Sequence, residues 1–250
     1  MRTLATLTLA TLALLLPGAL ALPGALTQER QVATVEEPES EVKFPVELTV
    51  TWGKDQEATH DLCGMGLRWK RKFLINWKVY AFGFYLDDAA LPALRKAAGD
   101  LSPEKLADSK DFRRALLAAG KEGFGRTMRL VMTRDVDADT MAEAFEGSLW
   151  PRMEEASEAG KERDAAKTAL DTFRGFFEKE AEEEQEMIFS WLPGDKLKAT
   201  VDGKSFPLVE SAALCQALFD VYLGADPISD SAKEDIFEKL HAKLHPKKEG

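Results

Sequence analysis

Three histidines and an acidic run are the residues of this 250-residue chain whose spacing could bind a metal. His241 and His245 are four residues apart, a spacing that places both rings on one face of a helix. They lie in a lysine-rich segment near the C-terminus, and we interpret their spacing as accidental. The acidic run Glu178–Glu184 could attract cations, but like charges in succession on a helix usually form a solvated face. We therefore expect neither a metal nor another cofactor.

Common catalytic and phosphate-binding motifs are absent from the sequence. No Gly-x-Ser-x-Gly occurs, so there is no nucleophile elbow, and Gly64-Met65-Gly66 is too short for a dinucleotide fingerprint. The chain has 43 acidic and 33 basic residues and a net charge of −10. Nucleic-acid binding is disfavoured because phosphate contacts need a cationic face. Composition indicates an acidic protein with enough apolar residues for a core.

The N-terminus predicts export. Arg2 precedes an apolar stretch from Leu4 to Leu16, and Ala19-Leu20-Ala21 supplies a small-x-small ending, as in a secretory signal peptide. We expect cleavage after Ala21, giving a periplasmic or extracellular protein with no stable membrane insertion. An uncleaved anchor is the alternative, although Pro17 and its neighbours interrupt the apolar run.

Export affects how the two cysteines are interpreted. In an oxidising compartment Cys63 and Cys215 can form one disulfide. Alternatively, both are buried thiols that behave as small apolar side chains. The sequence gives no distance between them, so both interpretations stay open.

Hydrophobic periodicity predicts the elements that position these residues. Residues 22–43 lack periodicity and predict a flexible linker, followed by one domain over 44–244 and a disordered tail over 245–250. Strand-rich and helix-rich segments predict an α+β fold, with a largely antiparallel sheet covered by helices. The predicted strands cover 46–50, 63–71, 73–86, 124–134, 187–192, 196–201 and 205–209. The predicted helices cover 88–98, 102–119, 137–149, 153–186, 211–223 and 231–244.

Several of these segments carry a recognisable order of motifs. Cys63–Arg68 contains Gly-x-Gly-x-Arg, and Val79–Leu86 follows it as the partner strand of a hairpin. Phe124–Leu130 and a helix come next, and Ala217–Ser229 closes the order with Ala-Leu-Phe-Asp-Val-Tyr-Leu-Gly and Asp-Pro-Ile-Ser. Over about 44–244 the chain resembles the chalcone isomerase family.

The resemblance implies an open-faced β-sandwich, in which helices cover a large antiparallel sheet and leave a cleft between the layers. The plant enzymes close a flavanone ring by adding a phenolate to an enone, and Arg68 matches the arginine that stabilises their oxyanion. Their strand threonine, helix tyrosine, helix asparagine and late Ser/Thr correspond here to Tyr80, Met141, Ser148 and Val221. Four of the five site positions differ, which argues against chalcone cyclisation.

We therefore expect an exported, bacterial-type member that is non-catalytic and binds a small amphipathic or fatty acid at these five positions. An arginine fork and a tyrosine O–H suit a carboxylate, and the fatty-acid-binding branch of the family is thought to use such a pair. Strand alternation places Tyr80 on one face with Phe82 and Phe84.

Three alternatives stay open. Arg68 and Tyr80 could be structural core residues. The protein could be an isomerase or lyase acting on an enone or enolate, with Arg68 as oxyanion stabiliser and Tyr80 as general acid. It could also be an interaction module with a vestigial cleft, whose charged helix over 153–186 contacts an unknown protein partner.

Overall fold

A computed structural model of the protein describes four segments of the chain, residues 33–72, 75–118, 123–157 and 160–246. The predicted signal peptide, 1–21, lies outside the described residues, as do residues 22–32 of the predicted linker and 247–250 of the predicted tail. Within the described segments, no helix has both the length and the apolar character needed to cross a membrane.

Groups of strands alternate with groups of helices along the described chain, which begins with five strands and ends with two helices. The strands are β1 (Thr34–Glu36), β2 (Lys43–Pro45), β3 (Glu47–Gly53), β4 (Gln56–Lys72), β5 (Ile75–Asp87), β6 (Arg126–Met132), β7 (Glu186–Leu192), β8 (Lys196–Val201), β9 (Lys204–Ser205) and β10 (Val209–Glu210). The helices are α1 (Leu91–Ala98), α2 (Pro103–Asp108), α3 (Lys110–Leu116), α4 (Ala138–Ala156), α5 (Lys161–Arg174), α6 (Ala212–Leu223) and α7 (Asp230–Leu244).

One antiparallel sheet of eight strands organises the fold. Its order is β10-β8-β7-β6-β5-β4-β3, and β9 pairs with β8. Side-chain alternation gives it two faces, because neighbouring residues of a strand point to opposite sides. In β5, Phe82 and Phe84 belong to the large core under the helices, whereas Ala81 and Tyr85 belong to a smaller cluster on the other face. Phe44 of β2 completes that smaller cluster.

Helix α7 approaches β4 so closely that two positions of the strand have no room for a side chain. A Cβ atom on Gly66 would lie 2.2 Å from Ala232 Cβ, and one on Gly64 would lie 2.6 Å from Ile236 Cα. The two glycines therefore permit the close packing of helix and sheet.

A buried polar chain crosses β4, β6 and β7. The Thr127 hydroxyl donates to Ser190 Oγ at 2.7 Å and therefore accepts from His60 Nδ1 at 2.9 Å. His60 Nε2 is buried without a hydrogen-bond partner among the described residues. Burial is the main cause that lowers the pKa of His60 to about 4, although Asp87 and Asp61 oppose it. A Cβ atom on Gly125 would lie 2.5 Å from His60 Nε2, so this glycine makes room for the ring.

The predicted long helix over 153–186 is wrong. Helix α4 ends at Ala156, α5 covers Lys161–Arg174, and the segment that follows is not helical. Ala181 bridges to Val136 through two backbone hydrogen bonds of 2.8 Å, so the acidic run lies in an irregular segment rather than on a helix. Burial of the Phe176 and Phe177 side chains against the core favours this path.

Two other boundaries also differ from the sequence prediction. The predicted helix over 102–119 is divided at Ser109, whose hydroxyl caps α3 by accepting from Phe112 N at 3.2 Å. Helix α7 begins after Ser229, which accepts from Ala232 N, rather than at Ser231. Both differences arise because a serine caps a helix start wherever its hydroxyl reaches a free N–H.

The predicted linker extends too far into the chain, because residues 34–36 pair with 43–45 as a two-stranded sheet. Glu37 is buried in the connecting turn, where its carboxylate accepts from the backbone N–H groups of Glu39 and Ser40. The ordered domain therefore begins before Phe44.

The structure contains no disulfide between Cys63 and Cys215. Both thiols are free and buried in the main core, so they correspond to the second interpretation, small apolar side chains. Burial raises the pKa of the Cys63 thiol to about 12 and also raises that of Cys215.

Candidate functional site

All five site positions predicted from the sequence line one cleft of about 700 Å³. Strands β4 and β5 contribute Arg68 and Tyr80, helix α4 contributes Met141 and Ser148, and helix α6 contributes Val221. The volume is within the usual range for small-molecule sites. The sheet and the helix layer thus bring together residues that are far apart in the sequence.

Arg68 and Tyr80 form a polar pair in the lining of the cleft. Arg68 and Tyr80 are direct cross-strand partners of β4 and β5. The Tyr80 hydroxyl lies 3.1 Å from the Tyr222 hydroxyl, and Arg68 donates from Nη1 to the Ile228 carbonyl at 3.3 Å. That contact uses only one of the guanidinium donors.

Tyr80 and Tyr222 both stay protonated near neutral pH. Burial raises the pKa of Tyr80 and raises that of Tyr222 well above the usual value, although the charge of Arg68 opposes the shift at each. Two hydroxyl groups carry two protons, and their mutual hydrogen bond uses only one of them. When Tyr222 donates to Tyr80, the Tyr80 O–H is left for a group in the cleft.

The other predicted positions give the cleft an apolar wall. Met141 and Val221 are buried and have no hydrogen-bond donor. Ser148 donates its hydroxyl to the Ala144 carbonyl of its own helix at 2.8 Å. Of the five predicted residues, Arg68 and Tyr80 are therefore the two suited to donate to a ligand.

Sequence reasoning missed Trp77, which lines the cleft, and Tyr222, which is buried and contacts the cleft residue Tyr80. The register between β4 and β5 shifts next to Arg68. Arg68 pairs with Tyr80, but the next residue of β4, Trp69, pairs with Lys78, so Val79 is an extra residue in β5. Such a bulge exchanges the two faces of a strand, which brings Trp77 rather than Lys78 into the cleft. Simple alternation predicts the opposite, and nothing in the sequence paired Tyr222 with Tyr80.

The open side of the cleft carries charges of both signs. Lys70 and Arg134 are the basic residues of this rim, and the Arg134 guanidinium lies 4.1 Å from the centre of the Trp77 ring. The acidic residues there are Asp135, Asp137 and Glu180.

A second, smaller cavity of about 320 Å³ lies between the turn after β1, strand β4 and helix α7. Its charged lining includes Glu36, Glu39, Asp235 and one cation, Lys239. This surplus of carboxylates disfavours an anionic ligand, so the larger cleft is the better candidate site.

The histidine pair near the C-terminus is not arranged as a metal site. The rings of His241 and His245 lie 4.5 Å apart, and His241 Nε2 lies 3.0 Å from the Leu101 carbonyl oxygen. In the part of the chain that the structure describes, no cluster of His, Cys, Asp or Glu could hold a metal ion.

Comparison of the sequence with known protein families tests the resemblance that the order of motifs indicated. The family described as chalcone isomerase like matches residues 58–237. The protein belongs to the chalcone isomerase-like family.

Relatives in this family carry both binding and catalytic names. Fatty-acid-binding protein 1 of Arabidopsis thaliana is 27% identical over 213 residues, which are 82% of this chain and 70% of that protein. The chalcone–flavanone isomerase of Zea mays is 29% identical over 190 residues, which are 73% of this chain and 79% of that protein.

A solved structure confirms the predicted fold class. The crystal structure of an Arabidopsis thaliana fatty-acid-binding protein matches with a TM-score of 0.66 at 25% identity, covering 85% of this chain and 98% of that one. Because this chalcone isomerase-like family includes proteins with both kinds of name, membership does not choose between binding and catalysis. The chemistry of the cleft residues has to distinguish binding from catalysis.

Proposed function

We propose that this chalcone isomerase-like protein binds a fatty acid or a similar amphipathic carboxylate in the large cleft and does not cyclise chalcones. The observation that carries the proposal is the cross-strand pairing of Arg68 and Tyr80 in a cleft that the apolar side chains of Met141, Phe145 and Val221 also line. The relatives that are named fatty-acid-binding proteins support it.

The Arg68 guanidinium and the Tyr80 hydroxyl suit a carboxylate head group. Arginine presents parallel N–H donors that match the two carboxylate oxygens, and a charge-assisted hydrogen bond is about twice as strong as a neutral one. Met141, Phe145 and Val221 would contact the hydrocarbon chain, where each buried methylene contributes about 0.8 kcal/mol before ordering costs.

The same geometry disfavours catalysis by Tyr80. A general acid works best when its pKa is near the working pH, whereas burial raises the pKa of this tyrosine above its usual value. Met141 and Val221 lack polar groups, and the Ser148 hydroxyl is used within its helix, so little remains to orient a chalcone. A chalcone absorbance assay should show no stereoselective turnover above the spontaneous rate, and clear turnover would contradict the non-catalytic part of the proposal.

Titration with a panel of medium and long fatty acids tests the binding. Arg68→Ala should weaken binding at least about tenfold, because it leaves a buried carboxylate without its charge partner. Tyr80→Phe removes one hydrogen bond to a charged group, which costs about 1.5–3 kcal/mol. Fatty alcohols of the same length should bind less tightly than the acids to the wild type, and this difference should shrink in Arg68→Ala.

Lys70→Ala is the matched control, since Lys70 is an exposed cation on the rim of the same cleft. An exposed charge is worth about 0–1 kcal/mol, so this variant should bind within about fivefold of wild type. Melting temperatures must show that every variant is folded. If folded Arg68→Ala binds like wild type, or if no acid binds the wild type, the head-group assignment is wrong.

We also propose that the protein acts outside the cytoplasm, on the basis of the signal-peptide pattern in residues 1–21. N-terminal sequencing of protein from the exported fraction should begin at Leu22, after Ala21, or at Gln28, after the second and weaker cleavage site Ala25-Leu26-Thr27. Intact Met1 in a cytosolic fraction would overturn this part of the proposal.

A further inference from the structure

The hairpin of β4 and β5 extends beyond the rest of the sheet. Strand β3 pairs with β4 only as far as Asp61, and β6 pairs with β5 only as far as Tyr80. Residues 69–71 and 75–78, which we call the hairpin tip, therefore belong to a two-stranded ribbon, and no other strand among the described residues pairs with either of its edges. Such ribbons are at best marginally stable alone, so folding by itself does not explain its length.

The hairpin tip is strongly basic in an acidic protein. Residues 62–86 contain five Lys or Arg and no Asp or Glu, whereas the whole chain has a net charge of −10. In the tip, Lys70 and Arg71 are exposed, and Lys78 is partly exposed. A local positive charge of this kind attracts a negatively charged surface.

The hairpin tip also exposes large apolar side chains. Trp69 is 36% exposed, Ile75 is 58% exposed and Trp77 is 40% exposed, and these are three of the five exposed large hydrophobic residues in the described part of the chain. Apolar side chains gathered at one place on a surface usually mark an interaction site.

Cations accompany the aromatic rings on both sides of the ribbon. Lys78 Nζ lies 5.5 Å from the centre of the Trp69 ring, and Arg134 stacks on Trp77. Tryptophan, isoleucine and long basic side chains together are the residue types of a membrane–water interface, where rings enter the headgroup layer and charges meet anionic lipids.

We propose that the hairpin tip docks the protein on an anionic lipid surface. Lys70 and Trp77 belong both to the tip and to the lining of the large cleft, so docking would bring the open side of the cleft to the lipid. If the proposed function holds, the acid then passes between membrane and cleft without crossing bulk water. The docking itself requires no ligand. Asp135, Asp137 and Glu180 line the cleft beside these two residues, so their repulsion confines the contact to the tip.

Co-sedimentation with vesicles tests the docking in the absence of fatty acid. The wild type should bind vesicles of phosphatidylcholine with phosphatidylglycerol, bind phosphatidylcholine alone more weakly, and dissociate as salt is raised. Arg71→Gln should weaken binding to the anionic vesicles about fivefold. Ile75→Ser should weaken it by up to about tenfold, because an inserted apolar side chain is lost.

Two matched controls keep the test specific. Leu208→Ser removes an exposed apolar residue from the β9–β10 connection, and Lys167→Gln removes an exposed cation from α5. Both should bind vesicles like wild type, and every protein must carry the same N-terminus, so that its apolar segment contributes equally. Absence of binding by wild type, or equal losses in the controls, would overturn the proposal.

The fatty-acid titration without vesicles separates the two proposals. Arg71→Gln and Ile75→Ser should bind free fatty acid like wild type, since neither residue lines the large cleft. Vesicle binding by a wild-type protein that binds no fatty acid would support the docking and reject the proposed function. Salt-insensitive capture of the tip by a protein, with no lipid binding, would reject the docking.

Discussion

Replacing Tyr80 by phenylalanine should destabilise the ligand-free protein more than the same change at Tyr222. Their hydroxyl groups lie 3.1 Å apart, and Tyr222 is 1% exposed whereas Tyr80 is 7% exposed and lines the cleft. Tyr80→Phe therefore leaves the Tyr222 hydroxyl buried and without a partner. Tyr222→Phe leaves the Tyr80 hydroxyl, which can still bond to water in the cleft.

The size of each effect follows from the cost of a buried group without a partner. An unsatisfied buried hydroxyl costs about 1–3 kcal/mol, so Tyr80→Phe should lower the free energy of unfolding by about 2 kcal/mol. Tyr222→Phe should lower it by about 1 kcal/mol, the net worth of an ordinary hydrogen bond. The double variant leaves no unsatisfied hydroxyl and should lose about 1 kcal/mol or less.

Urea unfolding of the wild type, both single variants and the double variant measures this coupling directly. The slopes of the four transitions should agree, so that midpoints report stability alone. If the double variant loses as much as the two single variants combined, the hydroxyl groups do not interact. Equal losses in the two single variants would refute the argument from unequal burial.

Three further predictions concern the core. Because burial lowers the pKa of His60 from 6.5 to about 4, the unfolded chain takes up a proton between these pH values that the folded chain does not. As the pH falls from 6.5 to 4, the free energy of unfolding should therefore decrease by up to about 3 kcal/mol. Urea unfolding measures this decrease, and a free energy of unfolding that does not change with pH would contradict the prediction. Gly66→Ala should lower the unfolding free energy by about 1–3 kcal/mol because its Cβ would overlap Ala232, and Ala232→Gly should restore part of the loss in a thermal melt. Cys63 and Cys215 should not react with a thiol reagent in the native protein, because both are buried. Both should react once the protein is unfolded without reductant. If the unfolded protein shows no reactive thiol, the two cysteines form a disulfide.

Elements with clear periodicity could be predicted closely from the sequence. Strand β8 has the predicted bounds, Lys196–Val201, because apolar and polar residues alternate along it. Helix α6 begins directly after Ser211, whose hydroxyl accepts from Leu214 N. Local signals suffice where a cap or an alternation determines the element.

The segment after α5 could not be predicted in this way. Its acidic residues extend a helix-like composition past Arg174, whereas burial of Phe176, Phe177 and Ala181 requires the chain to leave the helix and return to Val136. This is a tertiary effect, and local propensity is too weak to resist it.

The site was predictable only in part for a similar reason. The resemblance located five positions that line one cleft, among them Arg68 and Tyr80. It did not locate Tyr222, whose hydroxyl meets Tyr80 across the interface of sheet and helix, or Trp77, which reaches the cleft through a bulge. Contacts between layers and changes of register are not recorded in the spacing of residues along one strand.

The glycines of Gly64-Met65-Gly66 have a consequence for how function diverges in such a scaffold. Their role is steric, since they let α7 pack closely on β4, while the proposed ligand contacts come from Arg68 and from side chains on other elements. A chain can therefore exchange every other group in the cleft and keep the same recognisable signature. Conversely, a change at Gly66 would disturb an enzyme and a carrier alike. The signature identifies the architecture and carries no information about the cargo, which must be determined from the cleft itself.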